Sequence, residues 1–215
     1  MSDAGASRVT GVILAGGLAS RYGGRAKGLE VVGGRRILDR VAAALADAAD
    51  ELLLVANHPD ADGWLPGVRV AGDVRPHAGS LGGIHAALVH AGGPALVVAW
   101  DMPFVTAPLL RALRALGSDA DAAVPESDSS RRGLEPLCAY YGPACLPAIE
   151  RRLDAGDRRV IGFYDDVRLR RLDAAAVARF GDPALLFLNV NTPAELALAE
   201  AHAPTTDGGR RRQEA

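Results

Sequence analysis

Short runs of valine, leucine, isoleucine and alanine punctuate the chain at 8–14, 51–56, 67–71, 95–99, 121–125 and 184–190. They do not alternate with polar residues, which is the pattern of strands covered on both faces, so each predicts a strand. Between them lie segments with apolar residues at helical spacing: RRILDRVAAALADAA, LGGIHAALVHA, APLLRALRAL, PACLPAIERRL and PAELALAEA. Strand and helix alternate. That order predicts an α/β domain, three-layered and Rossmann-like, with a mostly parallel central sheet, helices on both faces and right-handed crossovers. The polar stretch ESDSSRRG (126–133) predicts an exposed loop that returns into a strand at EPLCAYY. A single domain is expected over 1–203, with 204–215 as a disordered tail.

Three helix starts add detail. Thr192-Pro193-Ala194-Glu195 has the composition of a capping box with proline in the first turn. Thr106 is placed to cap the helix of APLLRALRAL. In SLGGIHAALVHA, Ser80 is a candidate cap, and Gly82 and Gly83 then fall in the first turn, where each glycine costs about 1 kcal/mol relative to alanine. Close approach of a ligand or of another part of the backbone would account for them.

Composition narrows the class. The 215 residues are 49% hydrophobic and 23% charged, as in an ordinary globular domain. No apolar run is long enough to span a bilayer, and MSDAGASRVT lacks the apolar core of a signal peptide, so a cytoplasmic protein without a membrane role is expected. A net charge of -2 provides no general basic field for nucleic acid. Cys138 and Cys145, in C-x6-C spacing, match neither a zinc ribbon nor a redox pair and read as reduced core residues. The five histidines show no metal-ligand spacing and read as turn or surface residues; no G-x-S-x-G elbow is present.

In open α/β sheets ligands bind beyond the carboxyl ends of the strands. Here those ends lead into Ala15-Gly16-Gly17, Asn57, Asp73, Asp101, and Asn189 with Asn191. Each alone is an ordinary turn residue, but five such positions on one rim point to a site. The first loop, LAGGLASRYGGRAKG, holds five glycines together with Ser20, Arg21, Arg25 and Lys27, the one lysine among 24 basic residues. It matches neither the Walker pattern nor G-x-G-x-x-G. Successive N–H groups and cationic side chains suit it to phosphate, and lysine supplies a compact, flexible charge. Asp101, at the end of a buried strand and ahead of Pro103, is the metal candidate, since magnesium takes one or two protein carboxylates plus phosphate oxygens and waters. Asp73 could serve as a second acid or bind a base or ribose.

With these residues in view, the chain resembles the molybdenum cofactor guanylyltransferases, within the Rossmann-like nucleotidyltransferases. GVILAGGLASRYGGRAKGLEVVGGRRILDRV is similar to the family's L-A-G-G-x-[SA]-x-R-M-G-x-x-K loop and the turn and helix after it. AGSLGGIHAAL, AWDMPF and LNVNTPAELALAE resemble its G-P-L-A-G, D-M-P-F and N-T-P-E segments, and LDAGDRRVIGFY its penultimate helix and strand. The resemblance implies GMP transfer from GTP to molybdenum-bound molybdopterin, with Mg2+ on Asp101. It implies that Leu14, Ala15, Gly16 and Gly17 contact the nucleotide, Lys27 and Arg21 its phosphates, and Asn57 and Asp73 further parts of GTP. Arg21, Lys27 and Asp101 would carry catalysis, and Gly79, Gly83, Asn189 and Asn191 would lie nearer the molybdopterin. Molybdoenzyme maturation proteins are further candidate partners. Tyr22 stands where the family has methionine, and Ala26 where it commonly has aspartate. A molybdopterin cytidylyltransferase or another metabolite nucleotidyltransferase of the same fold, and a nucleotide-binding regulator without activity, are the alternative readings.

Overall fold

The computed structural model describes residues 8–16, 27–128, 130 and 133–203. In chain order the strand β1 (Thr10–Ala15) precedes a small hairpin of β2 (Val31–Val32) and β3 (Arg35–Arg36), then α1 (Ile37–Ala46), β4 (Glu51–Ala56) and β5 (Arg69–Ala71). There follow α2 (Gly79–Ala91), β6 (Ala95–Ala99), α3 (Ala107–Gly117), β7 (Ala122–Pro125), β8 (Cys138–Tyr141) and α4 (Cys145–Asp154). The chain continues through β9 (Leu169–Leu172), α5 (Ala174–Val177), α6 (Pro183–Leu186) and α7 (Pro193–His202).

Seven strands form one sheet in the order β5-β4-β1-β6-β8-β7-β9. β8 runs antiparallel to both its neighbours, and the remaining pairs are parallel. Successive side chains of a strand point to opposite faces, and two apolar cores result. Ile13, Leu54, Leu96 and Val98 face α1 and α3; Val12, Leu14, Leu53 and Val97 face α2 and α4. The short C-terminal helices cover the first of these faces through Val177, Leu186 and Ala199. Both cysteines are free and buried, as their spacing suggests.

Several local expectations change. The run 184–190 is not a strand: Asp182 accepts a hydrogen bond from Ala184 N–H and Pro183 occupies the first turn, so a helix begins where apolar character alone reads as sheet. Its large residues are still buried, Phe187 and Val190 at 3% and 1% exposure. The seventh strand is instead β9, which carries exposed Arg170 and Arg171 because it lies at the sheet edge. The end of LDAGDRRVIGFY, which resembles a helix followed by a strand, forms turns leading into a short 3-10 helix at Tyr164–Asp166. His85 is a core residue, 1% exposed on α2, where it faces Glu150 of α4 at 3.5 Å.

Candidate active site

Ser80 does not cap α2. The helix begins two residues earlier than that cap would place it, after Ala78, with no side-chain cap, and Gly79 enters it at φ 63°. The two glycines that follow are explained by the protein itself. A Cβ on Gly82 would stand 2.6 Å from the Cβ of Ala78, and one on Gly83 would stand 3.3 Å from the Leu14 side chain. The helix start is thereby drawn down against β1 at the strand-end rim.

The centre of that rim is built from three distant parts of the chain. Asp101 follows β6, Lys27 opens the 3-10 turn Lys27–Leu29 before the hairpin, and Asn191 lies just ahead of α7. Val190 N–H donates to the Asp101 carbonyl at 2.9 Å, which fastens the irregular segment before α7 onto the end of β6. Lys27 Nζ then donates to Asn191 Oδ1 at 2.7 Å. Asn191 is held in turn, since its N–H donates to Glu195 Oε2 at 2.7 Å while Glu195 N–H donates to Thr192 Oγ1 at 3.2 Å. The Thr192 cap expected here is present, but the Glu195 carboxylate reaches back past the N-cap to Asn191 N–H, and so holds the residue that receives the lysine.

Asp101 is half-buried as a residue, but its Oδ1 is fully buried and has no hydrogen-bond partner. Burial pushes its carboxyl up to about 6; its own backbone N–H and the Lys27 charge pull the other way, and the Glu195 charge adds to the rise. A buried carboxylate oxygen without a donor is costly unless a cation or donor meets it. Asp101 therefore fits a divalent cation. Among the described residues no group of three or more histidine, cysteine or acidic side chains could hold a metal, so a cation there would complete its shell with phosphate oxygens and water. Asp101 is not needed as the cap of α3, whose N-cap is Thr106; that hydroxyl makes no capping bond and is itself buried without a partner.

Lys27 is also braced from behind. Gly28 lies flush on the Trp100 indole, and a Cβ at that glycine would stand 2.4 Å from Trp100 Cε3. Trp100 stacks on Trp64 with ring centroids 5.2 Å apart, and Trp64 meets the His58 ring at a tilt, with centroids 5.1 Å apart. Neither the brace nor the double role of Glu195 is apparent from spacing in the chain.

The β4–β5 side of the rim differs. Asn57 Nδ2 donates to Asp73 Oδ2 at 2.7 Å, and Asp73 N–H donates to Asn57 Oδ1 at 2.8 Å, closing a reciprocal pair. Leu14 and Ala15 are buried at 7% and 8% exposure, and the Leu14 carbonyl accepts from Trp100 N–H at 3.1 Å; Gly16 is exposed. Gly79 and Gly83 lie at the start of α2, and Asn189 donates its amide to the Phe187 carbonyl at 3.0 Å, apart from Lys27. Gly17, Arg21, Tyr22 and Ala26 lie outside the described residues.

Comparison with known proteins agrees with this architecture. A family model for the MobA-like NTP transferase domain matches residues 11–169. A molybdenum cofactor guanylyltransferase from Desulfosudis oleivorans is 39% identical over 197 residues, 90% of this chain and 95% of that protein. The chain belongs to the molybdenum cofactor guanylyltransferase family. It is a nucleotidyltransferase by that membership. The crystal structure of molybdopterin-guanine dinucleotide biosynthesis protein A from Archaeoglobus fulgidus superposes with a TM-score of 0.75 at 27% identity, covering 89% of this chain and 97% of that one. A Mycobacterium tuberculosis protein solved in complex with manganese shares the fold, with a TM-score of 0.64 at 21% identity over 91% of this chain and 99% of that one. Nucleotidyltransferases of this family normally use a divalent metal. Among the described residues no helix is long and apolar enough to cross a membrane.

Proposed function

We propose that the protein transfers the GMP moiety of GTP to the terminal phosphate of molybdenum-bound molybdopterin, releasing pyrophosphate and forming the guanine dinucleotide. A phosphate oxygen of the acceptor attacks the α-phosphorus of GTP in line; the bond to the bridging α–β oxygen breaks, and pyrophosphate leaves with its electron pair. No side chain need form a covalent intermediate. Lys27, held on Asn191, supplies a fixed positive charge to the phosphoryl oxygens, and Asn57 and Asp73 bind the nucleotide on the β4–β5 side. Leu14 to Gly17 and Arg21 are assigned to the nucleotide and its phosphates by resemblance, as are Gly79, Gly83 and Asn189 to the acceptor.

Asp101 would hold Mg2+, which when bound neutralises charge on the triphosphate. The remaining catalysis is positioning and electrostatics. The observation that carries the reading is the meeting of Lys27, Asn191 and Asp101 at the end of β6, from positions far apart in the chain. Pure protein incubated with Mg2+, molybdopterin and each NTP in turn tests it. Pyrophosphate release with GTP alone is the expected result; release with CTP alone would make it a cytidylyltransferase, and none with any NTP a binding protein. Molybdoenzyme maturation proteins are the proposed recipients of the product.

A further inference from the structure

The proposed chemistry leaves one buried acid on the rim unused. Glu135, 9% exposed, opens the turn that leads into β8. Its N–H donates to the Pro125 carbonyl at the end of β7 (3.0 Å), and its own carbonyl accepts from Cys138 N–H (3.1 Å). The next two residues are fixed as well. The buried Tyr141 hydroxyl donates to the Pro136 carbonyl at 2.8 Å with the Tyr164 hydroxyl 2.8 Å behind it, and the Leu137 carbonyl accepts from Ala99 N–H at 2.8 Å. The backbone carrying Glu135 is thus tied to β6, β7 and β8 together. Its carboxylate accepts a hydrogen bond from Ser127, while burial pushes the group up to about 7 against that bond. Taking a carboxylate out of water is costly unless donors replace the lost hydration. A rigidly mounted acid in this condition suits a ligand that brings N–H donors of its own.

Strand order indicates which ligand. Asn57 and Asp73 follow β4 and β5 on one side of β1, whereas Glu135 precedes β8 on the far side of β6, with Asp101 following β6 between them. With the nucleotide over the β4–β5 side, the acceptor reaches the reaction centre from the β8 side. A pterin ring presents a 2-amino group and an adjacent ring N–H on one edge, two donors that a carboxylate can accept together. We propose that Glu135 binds this edge of the acceptor's pterin, a role resting on the nucleotide occupying the Asn57–Asp73 side. Guanine offers the same pair of donors, so the test has to separate the two.

Glu135→Gln in the full chain keeps the shape of the side chain and replaces one acceptor oxygen with a donor. Steady-state transfer should show KM for molybdopterin raised about tenfold or more, as when a hydrogen-bonding site loses its match. The Kd for GTP without acceptor, and the preference for GTP over ITP, which lacks the 2-amino group, should stay unchanged. Loss of the GTP preference with an unchanged acceptor KM would assign Glu135 to guanine and overturn the proposal; no change in either would make it a structural acid and also overturn it. Should the glutamine variant melt early, Glu135→Asp, which keeps the charge and shortens the reach, is expected to raise the acceptor KM in the same direction, and an unchanged KM there counts equally against the proposal. An unchanged GTP Kd in Asn57→Ala would fault the placing of the nucleotide, a failure distinct from an unchanged acceptor KM in the Glu135 variants.

Discussion

The two sides of the rim handle polar groups in opposite ways. At β6, Asp101 has a buried oxygen with no donor and Lys27 is clasped by Asn191, an arrangement that is incomplete without a ligand. At β4 and β5, Asn57 and Asp73 satisfy one another in a more open position and need nothing further. Strain of the first kind suits chemistry, because groups already fixed and partly desolvated lose little on meeting a charged substrate. A closed pair of the second kind suits recognition, since its hydrogen bonds can be exchanged for those of a base or ribose at modest net cost.

The largest effects should follow from breaking the β6 side. Asp101→Ala and Lys27→Ala are each expected to lower kcat by ~10²–10³ or more, the scale of removing one preorganised charge stabiliser, with circular dichroism unchanged. Next comes Gly28→Ala, which forces a Cβ into the Trp100 indole. Overpacking of this kind costs about 1–3 kcal/mol, and because Lys27 is the adjacent residue the loss should appear in kcat as well as in the melting temperature. Asn57→Ala touches only the exposed pair and should raise the KM for GTP by about tenfold, roughly the worth of one or two hydrogen bonds, with little change in kcat.

The pH dependence of stability sharpens the same contrast. Asp101 sits near 6 in the folded protein, above its ordinary 3.8, so folding favours its protonated form. Its contribution to stability is therefore full below pH 4 and is lost as pH rises through 6, an effect on the order of 3 kcal/mol from the linkage relation. Glu135 titrates in an overlapping window, from 4.5 to about 7, so the comparison has to be made within one pair of proteins. In EDTA, Asp101→Asn should flatten the fall in melting temperature that the natural protein shows between pH 4 and 7. Added Mg2+ should restore stability near pH 7 to the natural protein and not to the variant.

How much of this was legible in the chain depended on the range of the interaction. The buried parallel strands β1, β4, β6 and β7 were readable because covered strands need uninterrupted apolar side chains, and Thr192-Pro193-Ala194-Glu195 because a cap is a local signal. β9 was hidden because an edge strand tolerates arginine, and 184–190 misled because the cap at Asp182 outweighed its apolar character. The rim residues Lys27 and Asp101 stood out by type and place. Their relation did not, since Lys27 meets Asn191 across 164 residues and no spacing rule reports such a contact. Gly28 likewise reads as one more glycine of a flexible loop until the Trp100 ring is seen against it.

Asn191 is proposed to act through Lys27. Single-turnover GMP transfer measured in Lys27→Ala, Asn191→Ala and the double variant tests this directly, because residues that share one function couple strongly in such a cycle. The expected result is that Asn191→Ala slows transfer in the natural background and has almost no further effect once Lys27 is gone. Equal losses in both backgrounds would show that the two residues act independently and would contradict the account.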